Sequence, residues 1–485
     1  MAPRTTLTPI ALAAVLLGAF LSIADFFIVN VALPTIDSRL HASSGTLELV
    51  VAGYGVPYAL LLVLGGRLGD LFGRRRLFML GMSSFTVFSL LCGLAPSVAA
   101  LIAFRGLQGA SAALMVPQVL ATIQATSTGQ RRARALGLYG ATAGIAAVVG
   151  QIAGGALVAA NIDGTSWRPI FLVNVPLGLI GLVLAWRAVP VTRSSEPSRI
   201  DPLGTVLLAT IVVSLLVPLT EGRALGWPAW SLALLALFVP AAVAFVAVER
   251  RLERVGGHPI VPPSLVRLPG MHRGLLIAAP FFAGFGAFMF VSALALQRGA
   301  GLGPLGSGLA LVPMAVSFLI ASLSTARLTA RYGRRVISAG ALLQAVGLAG
   351  LSLTLVAAWP HVDALNLAPA MIVAGFGQGL MMSPLFGVVL SGVPADRAGV
   401  GSGILVTAQQ TALALGVAAL GSLFVSLAAP GSIGMRGAFV VVLGVQVVIA
   451  VGVAIAATTL PQQAKPAPQA EAEPVRLEPA TELAA

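Results

Sequence analysis

The sequence predicts an all-α polytopic membrane protein of fourteen transmembrane helices. Three observations carry this. Of the 485 residues, 58% are hydrophobic and only 9% charged. The apolar residues gather in runs of about 17 to 25, the length at which a helix crosses roughly 30 Å of hydrocarbon. Most runs are apolar on every face, whereas a soluble chain of this size would divide into domains with amphipathic periods.

Taken in order, the spans are expected near 9–36, 47–66, 77–95, 98–123, 135–158, 169–186 and 203–219 in the first part of the chain. They continue near 231–248, 274–296, 305–325, 336–358, 367–391, 400–427 and 438–458. The opening MAPRTTLTPIALAAVLLGAF has the charged start of a secretory signal at Arg4. Its apolar run is too long for one, carries Asp25 and is followed by thirteen more, so a retained first helix is expected.

Arginines separate by alternate loops. Twenty-one fall on one set, among them Arg4, Arg67, Arg74, Arg131, Arg187, Arg250, Arg327 and Arg397. Only five, Arg39, Arg168, Arg223, Arg298 and Arg436, fall on the other. The positive-inside rule then puts both termini in the cytoplasm of a cell-membrane protein, with Asp37, His41 and Asp163 outside and Arg74, Arg131 and Glu196 inside. The net charge of +13 is accounted for by this asymmetry, and no nucleic-acid partner is expected.

The loop after the second span reads GRLGDLFGRRRLF, Gly66 to Phe78, and is partly echoed by ARLTARYGRRVI, Ala326 to Ile337. At an offset of 260 residues, Arg67, Leu68, Gly73, Arg74 and Arg75 recur as Arg327, Leu328, Gly333, Arg334 and Arg335. Each copy joins the second and third spans of a six-span block. Two parallel halves of this kind are a transporter architecture with a site near the midplane. The expected organisation is an N-terminal six-helix bundle at 1–186, an inserted hairpin of spans 7 and 8 with its linker at 187–250, and a cytoplasmic linker with the second bundle at 251–460. A Pro-, Ala- and Glu-rich tail at 461–485 is expected to be disordered and cytoplasmic. The basic segment from Glu249 to Arg273 is expected to lie along the cytoplasmic surface.

Asp25 stands out within IADFFIVNVALP, Ile23 to Pro34. Of sixteen acidic residues it alone lies deep in an expected span; Glu48 and Glu221 sit at outer ends, and the others in loops or the tail. An ionisable group inside the bilayer is costly, and is a functional candidate for that reason. Arg105 lies within the fourth span and keeps its charge, so it either pairs with polar groups in the bundle interior or snorkels outward. Asp25 is expected to be the main proton-coupling carboxylate, with Arg105 in the same coupling site; a carboxylate kept only to pair with Arg105 is the alternative.

Polar residues elsewhere admit two readings. Asn30, Gln108, Gln118 and Gln151 are candidates for a substrate cavity or for interhelical hydrogen bonding. Gly144, Gly150, Gly154 and Gly155 in the fifth span allow close helix packing, static or moving. In the loop from Gly66 to Phe78, Gly66 and Gly73 permit a tight turn, Asp70 suits a helix terminus, and Arg74 and Arg75 bind carbonyls or headgroups, or set topology alone.

Enzyme chemistry lacks its motifs. There is no GxxxxGK[ST] loop, HExxH or CxxC pattern, the lone Cys92 can form no internal disulfide, and His41, His258, His272 and His361 all fall between spans. No cofactor or metal is expected, the chain is not expected to be an enzyme, and an ion gradient is the expected energy source.

GRLGDLFGRRR resembles the signature loop of the major facilitator superfamily. DFFIVNVALP from Asp25, RGLQGASAA from Arg105, GIAAVVGQIAGG from Gly144 and WRPIFLVNVPLG from Trp167, together with fourteen spans, resemble its drug:proton antiporters of the EmrB/QacA type. Two departures stand out. Gly150-Gln151 precedes Gly154-Gly155 where the family has Gly-Pro, and Leu71 replaces a common basic residue, with Ala330 opposite Asp70 in the second copy. The resemblance implies proton-coupled efflux of small amphipathic compounds by alternating access, with Asp70 in a gate and the fifth-span glycines at a moving, leak-sealing interface. Its partners would be a small-molecule substrate, protons and the lipid bilayer, with the protein acting as a monomer. An uptake carrier or facilitator on the same fold, and a non-transporting membrane sensor or lipid-handling protein, remain as alternatives. Proton release on substrate addition discriminates them.

Overall fold

The computed structural model describes residues 7–40, 44–192, 201–222, 226–394, 397–429 and 431–460. Among them the chain is helical throughout and holds no strand, as a bilayer core requires, because every backbone polar group must be satisfied within its own segment. The first half comprises α1 (Pro9–Leu40), α2 (Ser44–Phe72), α3 (Arg74–Gly93), α4 (Val98–Thr126), α5 (Gly129–Ala160), the short α6 (Pro169–Leu172) and α7 (Asn174–Ala188). Two helices follow, α8 (Pro202–Glu221) and α9 (Ala229–Arg254). The second half comprises α10 (Pro263–Val266), α11 (Pro269–Leu294), α12 (Pro304–Leu309), α13 (Val312–Tyr332), α14 (Arg335–Ala358), α15 (Ala364–Val389), α16 (Ala398–Gly416), α17 (Ser422–Leu427) and α18 (Gly434–Ala457).

Thirteen of these segments are long and apolar enough to span a membrane, and α2, bent by 52° between Leu62 and Leu64, makes a fourteenth. The bend adjoins Gly65 and Gly66. A Cβ on Gly65 would strike the Ala113 carbonyl, so glycine is what lets α2 lie against α4 here. Spans 6 and 10 are each built from two helices, α6 with α7 and α12 with α13, and one-turn π segments at Ala295–Gly299 and Val417–Gly421 extend α11 and link α16 to α17.

Helices run past the hydrocarbon limits read from hydropathy. α5 begins at Gly129, taking in Arg131, Arg132 and Arg134, and α9 ends at Arg254. Arginine is a good helix former, so hydrogen bonding continues where apolarity stops. One expectation is corrected by this: Glu249, assigned to a surface segment, lies within α9 and is only 1% exposed. The tail at 461–485, Arg4, His41 and Glu196 lie outside the described residues.

The internal repeat reappears in the packing. α2 packs on α4 as α13 does on α15, α3 on α4 as α14 on α15, and α1 on α5 as α11 on α16. α3 and α1 meet α7 as α14 and α11 meet α18. α8 and α9 pack on each other, and α8 also lies against α2 and α16, sealed by Ala59, Val212 and Leu216. The halves meet where α5 faces α12, α13 and α15, and where α2 and α4 face α16.

Candidate functional site

α1 carries Asp25 into the first-half interior, where α2, α3, α4 and α7 surround it. The carboxylate is fully buried, and so is the Arg105 guanidinium of α4, whose Nη1 donates to Asp25 Oδ2. One turn along α4, Gln108 Nε2 donates to Asp25 Oδ1 at 3.0 Å while its Oε1 accepts from Arg105 Nη1 at 3.0 Å. The i, i+3 spacing of Arg105 and Gln108 puts both on one face of α4. Asn174, in the first turn of α7, donates to Asp25 Oδ1 at 2.8 Å and to Ser89 Oγ of α3 at 3.0 Å.

The rest of the shell holds Arg105. Its Nε donates to the Val50 carbonyl at 3.3 Å, and its guanidinium lies over the Tyr54 ring at 4.3 Å and near Phe171 at 5.6 Å. Tyr54 is fixed in turn by donating its hydroxyl to the Ser22 carbonyl at 2.9 Å. Arg105 therefore does not snorkel. Its charge is met by a carboxylate, an amide oxygen, a backbone carbonyl and aromatic faces, which is how a permanent cation is tolerated away from water. Nη2 alone has no acceptor among the described residues.

Chemically, the two carboxylate oxygens receive three side-chain donors. With two donors Oδ1 is filled, whereas Oδ2, with one, keeps a lone pair. The three hydrogen bonds tie α1 to α4 and α7 through this one carboxylate.

The adjoining face of α1 looks elsewhere. Ile23, Phe26 and Phe27 line a small space between the halves with Ala143, Phe285, Met382, Gln409, Gln410 and Leu413. Phe27 and Phe285 meet edge to face, with ring centres 5.9 Å apart. A single turn of α1 thus offers its carboxylate to the first-half interior and its aromatic rings to the midline. None of Asn30, Gln108, Gln118 and Gln151 lines this space. Gln118 donates to the Gly65 and Leu114 carbonyls, bridging α4 to α2, and Gln151 reaches Met289 of α11 at 3.5 Å. Asn30 Oδ1 is buried with no donor among the described residues. The sequence does not single out Asn174, Gln409 and Gln410; their signal is an amide inside an apolar run, which spacing alone does not separate from interhelical hydrogen bonding.

The glycines of α5 face three helices. A Cβ on Gly150 or Gly154 would press on Ala24 or Ile28 of α1, one on Gly144 on the Phe318 ring of α13, and Gly137 and Gly140 lie against Ser383 of α15. Gly155 is buried beside them. α5 runs unbroken through Gly150-Gln151, without the kink a proline there would impose.

At the end of α2, Gly73 alone connects to α3, with φ 99°, a backbone conformation that favours glycine. Asp70 in the last turn of α2 binds Arg74 at 3.1 Å, both side chains buried, and the Arg74 N–H donates to the Thr192 carbonyl at 3.1 Å. Arg75 donates to the Trp186 carbonyl, and Arg67 to those of Pro259 and Ile260. Gly66 is buried. The second copy turns the same way at Gly333, φ 58°, and Arg334 donates to the Leu460 carbonyl at 2.6 Å.

Residues 15–417 match the family described as Major Facilitator Superfamily. The chain is 37% identical over 415 residues to the probable actinorhodin transporter of Streptomyces coelicolor, covering 85% of this chain and 72% of that one. It is 36% identical to the puromycin resistance protein pur8 of Streptomyces alboniger, covering 84% and 80%, and 34% identical to the multidrug resistance protein Stp of Mycobacterium tuberculosis, covering 84% and 74%. Among solved structures, the human organic anion transporter MFSD10 superposes with a TM-score of 0.64 over 91% of this chain and all of that one, at 15% identity, a likeness of fold.

Proposed function

Because the chain belongs to the Major Facilitator Superfamily, whose fold and membership point to a transporter and not an enzyme, we propose that it is a proton-coupled efflux antiporter exporting small amphipathic compounds by alternating access. The observation that carries this is the fully buried Asp25–Arg105 pair, closed by Gln108 and Asn174, one helical face away from an apolar, aromatic space at the midline. The relatives named as resistance proteins support the outward direction.

In this reading, two bundles, 1–186 and 251–460, rock about the α5 interface, and the hairpin at 187–250 rides between α2 and α16. A proton on Asp25 removes the charge that holds Arg105 and loosens α1 from α4, and this change reaches α5 through the close contacts of Gly150 and Gly154. Discharging the proton on the opposite side restores the pair. One charge moved across 100 mV is worth roughly 2.3 kcal/mol, comparable with one hydrogen bond to a charged group, so the gradient is sufficient to drive the exchange of partners.

Phe26, Phe27 and Phe285 provide adaptable apolar contact, and Gln409 and Gln410 provide polar contact. A cleft of about 490 Å³ between α8, α9, α11 and α16, lined by Leu208, Phe245, Pro280 and Thr407 among others, supports entry of such compounds from the bilayer. We place the protein in the cell membrane as a monomer with both termini cytoplasmic, in keeping with the arginine asymmetry. The test is substrate-dependent proton release from inverted vesicles, together with a resistance panel in a pump-deficient host. Substrate flux with no proton movement would remove the antiport reading.

A further inference from the structure

Two further carboxylates lie together away from Asp25, where the inserted hairpin meets the signature turn. Glu249, near the end of α9, is 1% exposed, and its Oε2 accepts the Val261 N–H at 2.8 Å. Asp201 directly precedes α8. Glu249 Oε1 and Asp201 Oδ2 are each buried from solvent, and neither has a donor among the described residues. Two orphaned carboxylate oxygens are expensive in a protein interior unless a proton or cation meets them.

The two orphans approach the same point. Gly204, in the first turn of α8, lies beneath both, and a Cβ there would collide with Asp201 Oδ2 and Glu249 Oε1 at once. That point is one covalent bond from the Gly204 Cα, so no metal ion can occupy it. No group of three or more His, Cys, Asp or Glu side chains suited to a metal occurs among the described residues.

The charge balance points the same way. The charged groups that bear on Glu249 are Asp201 and, from α2, Arg67, and Arg67 in turn is faced by Asp70 of α2 and by Arg397 ahead of α16. Asp70 binds Arg74. Arg67 is 4% exposed and spends its Nη2 on the Pro259 and Ile260 carbonyls, with Nε lacking an acceptor among the described residues. Arg67 thus bears on both carboxylates, and a proton between them relieves the repulsion of like charges.

We propose that Glu249 and Asp201 form a proton-binding site in which one proton on Glu249 Oε1 is donated to Asp201 Oδ2, tying together the two legs of the inserted hairpin. The proton comes from water, and the only bond made is O–H. Both orphaned oxygens are satisfied by it. The segment Pro259–Val261 is held on one side by this pair through Glu249 and on the other by Arg67, so the site fastens the hairpin to the signature turn. Losing the proton sets two like charges face to face and drives the start of α8 from the end of α9. This site is independent of the Asp25 site and of the efflux reading.

The test is an infrared pH titration of the full chain in lipid nanodiscs, following the C=O stretch of protonated carboxyls, with no substrate present. The expected result is an acid band near neutral pH that persists in Asp25→Asn and disappears in Glu249→Gln. In Asp201→Asn, which removes the like charge, the band should titrate away at a proton concentration about tenfold higher or more. Asp201 is only partly buried and is the variant to rely on if Glu249→Gln does not fold. Absence of the band from the wild-type protein at neutral pH, or an unchanged midpoint in Asp201→Asn, would overturn the shared-proton site. Displacement of the band by sodium at constant pH would overturn it in favour of a cation.

Discussion

Replacing Asp25 by asparagine keeps the side chain's shape and removes both its charge and its ability to titrate. In the structure, the substituted amide must choose. With its NH2 at the Oδ2 position it confronts Arg105 Nη1, and with its NH2 at the Oδ1 position it confronts the amide donors of Gln108 and Asn174. The first keeps two hydrogen bonds and strands the cation; the second keeps a neutral acceptor for Arg105 and loses two donors' partner. Removing one member of a buried ion pair costs roughly 3–5 kcal/mol. Here Arg105 retains the Gln108 and Val50 oxygens and the Tyr54 ring, which argues for the lower part of that range. Against a folding stability of roughly 5–15 kcal/mol, the variant should remain folded but lose thermal stability. Asp25→Asn/Arg105→Gln, which removes both charges, should recover a large share of that loss. In inverted vesicles, Asp25→Asn should abolish concentrative substrate movement and substrate-induced proton release while downhill exchange persists. Normal concentrative transport by well-expressed Asp25→Asn protein would refute the coupling role. A double variant no more stable than the single would refute the energetic account of the pair.

Gly73→Ala places a Cβ at φ 99°, at a cost of about 1–2 kcal/mol, and should slow turnover with substrate affinity nearly unchanged, measured by comparing transport rate with equilibrium binding. Gly150→Ala brings a methyl against the α1 backbone at Ala24, next to Asp25, and should cost about 1–3 kcal/mol in thermal unfolding with a matching drop in transport. Asn174→Ala removes one donor to Asp25 Oδ1 while leaving Arg105 in place, so the pH profile of transport should move although substrate affinity does not. Single cysteines at positions 131 and 163 should label from opposite sides of the membrane, 131 from within; labelling of 131 from outside would overturn the topology.

Much of this protein is legible without coordinates because the bilayer is a demanding solvent. Unpaired backbone groups are forbidden in hydrocarbon, so runs of apolar residues have to be helices, and their length and number follow from bilayer thickness. The same penalty makes Asp25 and Arg105 conspicuous, since an ionisable residue in such a run needs a partner. The offset repeat of Arg67 to Arg75 at Arg327 to Arg335 foretold paired halves, and the packing of α2 on α4 repeats as α13 on α15. Hydropathy failed at helix ends. Glu249 looked like a loop residue because apolarity stops before it, yet the helix continues and neighbouring segments close over it.

What the sequence determined by itself is therefore what hydrophobic free energy dictates along one dimension: helix count, span positions, the paired halves and the one acid deep in a span. Tertiary structure alone decided which side chains meet. Asn174 lies 149 residues from Asp25 and Gln108 lies 83, and only the convergence of α7 and α4 on α1 joins them at one carboxylate. Asp201 and Glu249 are joined by the fold of the hairpin over Gly204, and Gln409 and Gln410 are brought beside Phe27 by the meeting of the halves. The reason is physical: burial is set largely by a residue's own apolarity and its neighbours in sequence, whereas a hydrogen bond between side chains depends on distances of about 3 Å that only the packing of distant helices fixes.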